Sequence, residues 1–111
     1  MLTLLPAEQN WLDLFRDALK RDYPGIVQRM IVYGSKARGD AHDESDIDIV
    51  IIIRNESRRL HRPLRELGHD LAMLRPVLPQ LFVQTEGAWK DRIERGFPFQ
   101  QTVEREGIDV F

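Results

Sequence analysis

Asp46 and Asp48 have the residue type and spacing to do chemistry. They frame the start of the apolar run Ile47-Asp48-Ile49-Val50-Ile51-Ile52-Ile53. A β-strand alternates its side chains with period two, so Ile47, Ile49, Ile51 and Ile53 share one face. Asp46, Asp48, Val50 and Ile52 share the other. A strand that is apolar on both faces for most of its length reads as buried in a covered sheet. The two carboxylates then stand about 7 Å apart along the strand, at the mouth of that sheet. Ionised carboxylates so close repel each other and resist burial. A divalent cation between them relieves both costs, and Mg²⁺ favours one or two protein carboxylates completed by waters and substrate phosphates. An isolated Asp-x-Asp is more often only the acidic start of a strand, so the pair needs a second feature to mean more.

That feature lies upstream. The short apolar run Ile31-Val32-Tyr33 is followed at once by Gly34-Ser35-Lys36-Ala37-Arg38-Gly39. Glycine lets the backbone turn sharply and approach a ligand closely. Free amides at a helix start beside a serine hydroxyl suit an anion. Lys36 and Arg38 add positive charge, and arginine can grip phosphate with two hydrogen bonds. Gly34 and Gly39 have the spacing of a Walker P-loop, but Asp40-Ala41 stands where Lys-Ser or Lys-Thr belongs, so that reading fails. Gly34-Ser35 alone would be an ordinary turn after a strand.

Together the two halves form a specific constellation: a strand, Gly34-Ser35, about ten residues, then Ser45-Asp46-Ile47-Asp48-Ile49. It resembles the polymerase-beta-like nucleotidyltransferase superfamily, and in particular its minimal, single-domain, antitoxin-type members. The order of the flanking elements and the chain length fit as well. The resemblance implies an α/β (α+β) fold, a small mixed β-sheet with flanking helices. It implies Mg²⁺ held by Asp46 and Asp48, two ions in the reacting state, and ATP or another nucleoside triphosphate as substrate. Gly34, Ser35, Lys36 and Arg38 would bind the phosphates. The acceptor would be a hydroxyl of a partner protein, such as a tyrosine of a HEPN-type helical toxin.

Those residues need a scaffold, and the rest of the chain reads as one. Its 111 residues suffice for one core and a single domain over 1–111. The net charge of −2 gives no basic field of the kind that marks nucleic-acid binders. The absence of cysteine excludes disulfides and thiolate zinc sites and is compatible with a reducing, cytoplasmic setting. No apolar run is long enough to span a membrane, and the N-terminus lacks a signal-peptide pattern.

Residues 6–22 read as a helix, with Pro6 at its first position, Glu8 in its first turn and Trp11, Leu12, Phe15, Ala18 and Leu19 as its apolar stripe. Tyr23-Pro24-Gly25 ends it, and a strand follows over Ile26 to Tyr33. His42 lies in an acidic loop near the proposed metal site, without a spaced partner that would make it a ligand.

Ser57 suits an N-cap, and Leu60, Leu64, Leu67, Leu71 and Leu74 recur at helical spacing. Pro63 interrupts that helix: either the helix begins near it, or it is kinked there. Arg58, Arg59, Arg62 and Arg65 make a basic cluster, either a solvated face or a contact for an acidic partner or RNA. Val77 to Val83 reads as a third strand, with Pro79 marking an edge or a bulge. Thr85 caps a helix over Glu86 to Arg95 that buries Trp89 and Ile93 and stops at Gly96. Pro98 opens a last short helix carrying Phe99 and Val103 and closed by Gly107. The tail Ile108-Asp109-Val110-Phe111 either packs on the sheet or makes a homo-oligomer contact.

One departure from the family falls on the third strand. Active members carry a third carboxylate there. Here the strand offers only Gln80 and Gln84, and the nearest acids in sequence are Asp70 and Glu86 on neighbouring helices. Two functions are therefore weighed: an enzyme that nucleotidylates a partner, and a catalytically inactive subunit of the same fold that binds nucleotide or a HEPN-type partner.

Overall fold

The computed structural model describes residues 2–40 and 46–111. His42 and Ser45 lie outside the described residues. Helix α1 (Pro6–Asp22) leads through a turn at Gly25 into strand β1 (Val27–Tyr33) and the single helical turn α2 (Ser35–Arg38). Strand β2 (Ile47–Ile53) is followed by a 3₁₀ turn (Asn55–Leu60) and helix α3 (His61–Ala72). Strand β3 (Pro79–Thr85), helices α4 (Glu86–Glu94) and α5 (Pro98–Glu106) and the short strand β4 (Ile108–Asp109) complete the order. Among the described residues the sheet runs β3-β2-β1-β4; β2 and β3 are parallel, and the other pairs antiparallel. This is the mixed sheet with flanking helices that the sequence implies.

The alternation along β2 sets the layers. Ile47, Ile49, Ile51 and Ile53 pack with Trp11, Leu12, Phe15 and Leu19 of α1 and Leu64 of α3. Each fully buried isoleucine stabilises the fold by about 1.5–3 kcal/mol. Helix α1 lies close on α3: the Trp11 indole donates to the Gly68 carbonyl at 2.9 Å. A Cβ at Gly68 would come within 2.5 Å of the Leu81 side chain and 2.9 Å of the Phe15 ring, so any larger residue would make those side chains shift. On the opposite face Val50 and Ile52 pack with Ile31, Trp89 of α4 and Val103 of α5. Thr85 caps α4 as expected, its hydroxyl accepting from the Ala88 amide at 3.3 Å.

Several local expectations are corrected. Ser57 does not cap α3; it sits inside the 3₁₀ turn, and α3 begins at His61 with Leu60 before it. Pro63 thus falls in the first turn, where a missing amide costs nothing. Leu74 is not on the buried stripe. It lies beyond the end of α3 and is 94% exposed. Strand β3 starts two residues later than expected, because the Val77 amide turns back to the Arg75 carbonyl. Pro79 opens it on the edge of the sheet. The C-terminal tail packs on the sheet, where β4 pairs Ile108 with Val32 and Asp109 with Ile31. No helix among the described residues is long and apolar enough to cross a membrane.

Candidate active site

β1 ends at Tyr33, and Gly34 turns the chain with φ 74° and ψ −152°, a conformation essentially reserved for glycine. The Ala37 and Arg38 amides bond to the Gly34 carbonyl at 3.1 and 3.0 Å and close α2, which Gly39 ends with φ 84°. Tyr33 is paired across the sheet with Asp48. This register sets the turn directly against the β2 carboxylate: a Cβ at Gly34 would lie 2.7 Å from Asp48 Oδ2. The two sequence motifs thus meet, and glycine is required both for the turn and for the room it leaves.

Asp46 precedes the first residue of β2. Its Oδ2 accepts a hydrogen bond of 2.9 Å from the Gln80 side-chain amide. Parallel pairing sets Gln80 beside Asp48 as well. Burial, and then the charge of Asp46, push the Asp48 carboxyl above its ordinary range; Arg38 opposes the shift. Burial, and then the charge of Asp48, raise the Tyr33 phenol. Both shifts describe a partly desolvated, negatively charged mouth, which a hard divalent cation would neutralise. Two carboxylates, one on β2 and one just before it, fit Mg²⁺ in donor type and number. No group of three or more His, Asp or Glu side chains able to hold a metal occurs among the described residues, so neither Asp70 nor Glu86 completes such a set with Asp46 and Asp48.

The basic residues divide. Arg38 stays at the site's rim, half exposed, with Nε 3.2 Å from Asp40 and a terminal nitrogen 3.7 Å from Glu106. Lys36, expected to bind phosphate, is not presented at the surface of the mouth. It is buried with its ammonium 3.0 Å from Glu8 Oε1, and both side chains are all but inaccessible. The same Glu8 oxygen accepts from the Leu5 amide at 2.9 Å, and the Thr3 amide donates to the Lys36 carbonyl at 2.8 Å. Lys36 therefore anchors the turn from beneath. In the sequence Glu8 reads only as a favourable first-turn acid; no local signal reveals its partner on α2. Tyr33 and the Gln80 bond to Asp46 also escape a local reading, because both depend on strand register. The arginines at 58, 59, 62 and 65 are exposed, and Arg62 pairs with Glu66 at 2.7 Å.

The family model for a nucleotidyltransferase domain matches residues 12–102. Over 45 residues the chain is 47% identical to a protein of Methanocaldococcus jannaschii that carries the provisional name protein adenylyltransferase. That match covers 40% of this chain and 45% of the relative, so the chain spans less than half the length of the curated relative it matches. Two solved structures are similar across most of the chain. One is a chain from a crystal structure of a toxin–antitoxin with AMP-PNP, at TM-score 0.57 and 22% identity, covering 96% of this chain and 73% of that one. The other is a provisionally named nucleotidyltransferase from Sulfolobus solfataricus, at TM-score 0.58 and 19% identity, covering 90% of this chain and 76% of that one. At these identities the two structures speak for the fold.

Proposed function

This chain belongs to the nucleotidyltransferase domain family, and on that premise we propose that it moves a nucleoside monophosphate, AMP from ATP, onto a hydroxyl of a partner protein. The observation that carries the reading is the contact between the two motifs. Gly34 brings the turn against Asp48, and Asp46 stands two residues before it, just ahead of β2. Asp46 and Asp48 would hold Mg²⁺, two ions in the reacting state, and the metal would supply Lewis-acid polarisation of the phosphoryl oxygens.

The chain's own residues position and orient. Gly34 lets the turn lie against the Asp48 carboxylate, Ser35 offers its hydroxyl, and Arg38 offers charge from the rim. Gln80 holds Asp46 in one orientation through its amide. The acceptor oxygen attacks the α-phosphorus in line. A new O–P bond forms as the bond to the β-phosphate bridge breaks, and pyrophosphate leaves with the electron pair. The acceptor's hydroxyl proton passes to solvent water as the O–P bond forms, so the nucleotidylated acceptor, pyrophosphate and the proton account for every atom. Positioning and electrostatics carry most of the work.

The partner we propose is a HEPN-type helical protein, with this chain as its antitoxin in the cytoplasm. The similarity to a chain from a toxin–antitoxin structure with AMP-PNP supports a protein partner and a nucleotide. A second reading, a non-catalytic subunit of the same fold, is favoured by one observation: the residue beside Asp48 on β3 is an amide, Gln80, and not an acid.

The test is label transfer from α-labelled ATP with Mg²⁺, with and without the product of a neighbouring gene. Label on the partner that vanishes in the Asp46→Asn/Asp48→Asn double variant is the expected result. A tight complex without label would leave the second reading.

A further inference from the structure

The sheet face that carries Asp48 also carries an aromatic surface. Across it, Tyr33 of β1 lies opposite Asp48, and Gln80 and Phe82 of β3 lie beside Asp48 and Val50. α4 and α5 close the far end of this face with Trp89 and Val103, both buried. Phe82 and Phe99 remain 39% and 37% exposed, and Phe99 packs on Tyr33, the cross-strand partner of Asp48.

Phe99, early in α5, is the hub of the rings. Its centroid lies 5.3 Å from Phe82, 5.4 Å from Tyr33 and 6.2 Å from Trp89, at interplanar angles of 69°, 84° and 83°. Edge-to-face packing of this kind fixes the planes of the rings. Phe82 stands two residues beyond Gln80, so the exposed rings begin about 7 Å along the strand from the level of Asp48. A nucleotide has the same layout, charge at one end and a flat aromatic group at the other, with a ribose between.

We infer that Phe82 and Phe99 form the subsite for the base of the nucleoside triphosphate whose phosphates lie at Asp46, Asp48 and the Gly34-Ser35 turn. The inference rests on the nucleotidyltransferase reading given above and adds what holds the other end of the substrate. The rings carry no charge and no donor, so they have nothing to offer a phosphate. They offer apolar surface to a π-system, and they are continuous with the carboxylates through Tyr33. Rings without donors or acceptors read stacking area and not the hydrogen-bonding edge of the base. They therefore favour purines over pyrimidines and separate adenine from guanine poorly.

The experiment compares two probes, Mg²⁺·ATP and Mg²⁺·tripolyphosphate, by calorimetric titration of the full chain. Wild type should bind ATP more tightly than tripolyphosphate. Phe82→Ala and Phe99→Leu, the latter keeping apolar bulk in α5, should each weaken ATP about tenfold and leave tripolyphosphate unchanged. In proton NMR the adenine H2 and H8 resonances should move upfield on binding wild type, and less so with either variant. Unchanged ATP affinity in both variants overturns the inference, and so does equal loss for both probes. Retained ATP affinity with lost partner binding also overturns it and makes the rings a protein interface. If wild type binds tripolyphosphate but gains nothing from the base, the phosphate site stands and the base subsite falls. If wild type binds neither probe, the nucleotidyltransferase reading itself fails.

Discussion

Glu8 and Asp48 are carboxylates on either side of the same short turn, and their surroundings differ in kind. Glu8 is buried, and its charge is met inside the fold. One oxygen takes both the Lys36 ammonium at 3.0 Å and the Leu5 amide at 2.9 Å. Asp48 sits beside another carboxylate. Gln80 offers Asp46 only an amide dipole, and Arg38 is already shared between Asp40 and Glu106. The Gly34–Gly39 turn touches both sites: Lys36 reaches one, and Gly34 abuts the other. The charge that builds this fold is neutralised within it. At the mouth of the sheet Asp48 instead faces a second carboxylate, with Arg38 opposing its raised pKa from the rim.

The largest expected effect falls on the neutralised side. Lys36→Met leaves the Glu8 carboxylate buried and unpaired, which costs about 3–5 kcal/mol. Chemical denaturation should show that loss. The double variant Glu8→Gln/Lys36→Met should recover most of it, because an apolar and amide pair has no charge to desolvate. If Lys36→Met costs under about 1 kcal/mol while ATP affinity falls steeply, Lys36 serves a ligand and the contrast between the two sites breaks.

A smaller effect links the turn to the mouth. Gly34 and Gly25 have almost the same φ, 74° and 75°. A Cβ at Gly25 meets nothing within 4 Å, whereas one at Gly34 meets Asp48 Oδ2 at 2.7 Å. Alanine should cost about 1–2 kcal/mol at Gly25 and about 3 kcal/mol at Gly34, whose ψ of −152° lies in the glycine-only region. Only Gly34→Ala should also weaken Mg²⁺·ATP, because it displaces the carboxylate. Equal ATP affinity in the two variants would show that the turn and Asp48 act separately.

The elements that position the site were largely legible from sequence; the pairings within it were not. The alternation Ile47-Ile49-Ile51-Ile53 names the buried face of β2 because period two is a local property. Pro6, Pro79 and Thr85 mark an N-terminus, an edge and a cap through effects confined to a residue or two. Lys36 is different. Side chains on one helical turn point in successive directions about 100° apart, so its place beside Gly34-Ser35 does not say whether it faces a phosphate or the core. Its partner Glu8 comes from another helix. Gln80 meets Asp46 only because β2 and β3 pair with Ile47 opposite Pro79, and a strand boundary misplaced by two residues hides that register. Leu74 matched the helical spacing, but α3 had already ended at Ala72.

The smallest effect, and the one that separates the two sites by sign, is Asp48→Asn. The folded protein holds the Asp48 carboxyl above its ordinary value of 3.8, first by burial and then by Asp46. For a raised acid the favourable contribution is fully present below the unfolded value. It is lost as pH rises through the folded value, so the ionised group weighs against folding at neutral pH. Asp48→Asn should therefore raise the melting temperature at pH 7 in the absence of metal, by the equivalent of no more than about 1 kcal/mol given the group's access to solvent. The gain should vanish as pH falls below 4, where wild type is also uncharged. Adding Mg²⁺ should reverse the order, stabilising wild type and leaving the variant unmoved. These are thermal melts across pH, with and without the metal. A variant less stable than wild type at both pH 7 and pH 4 would mean that Asp48 has a structural partner, as Glu8 has. The mouth of the sheet would then be part of the fold's own charge balance and not a place kept for a ligand.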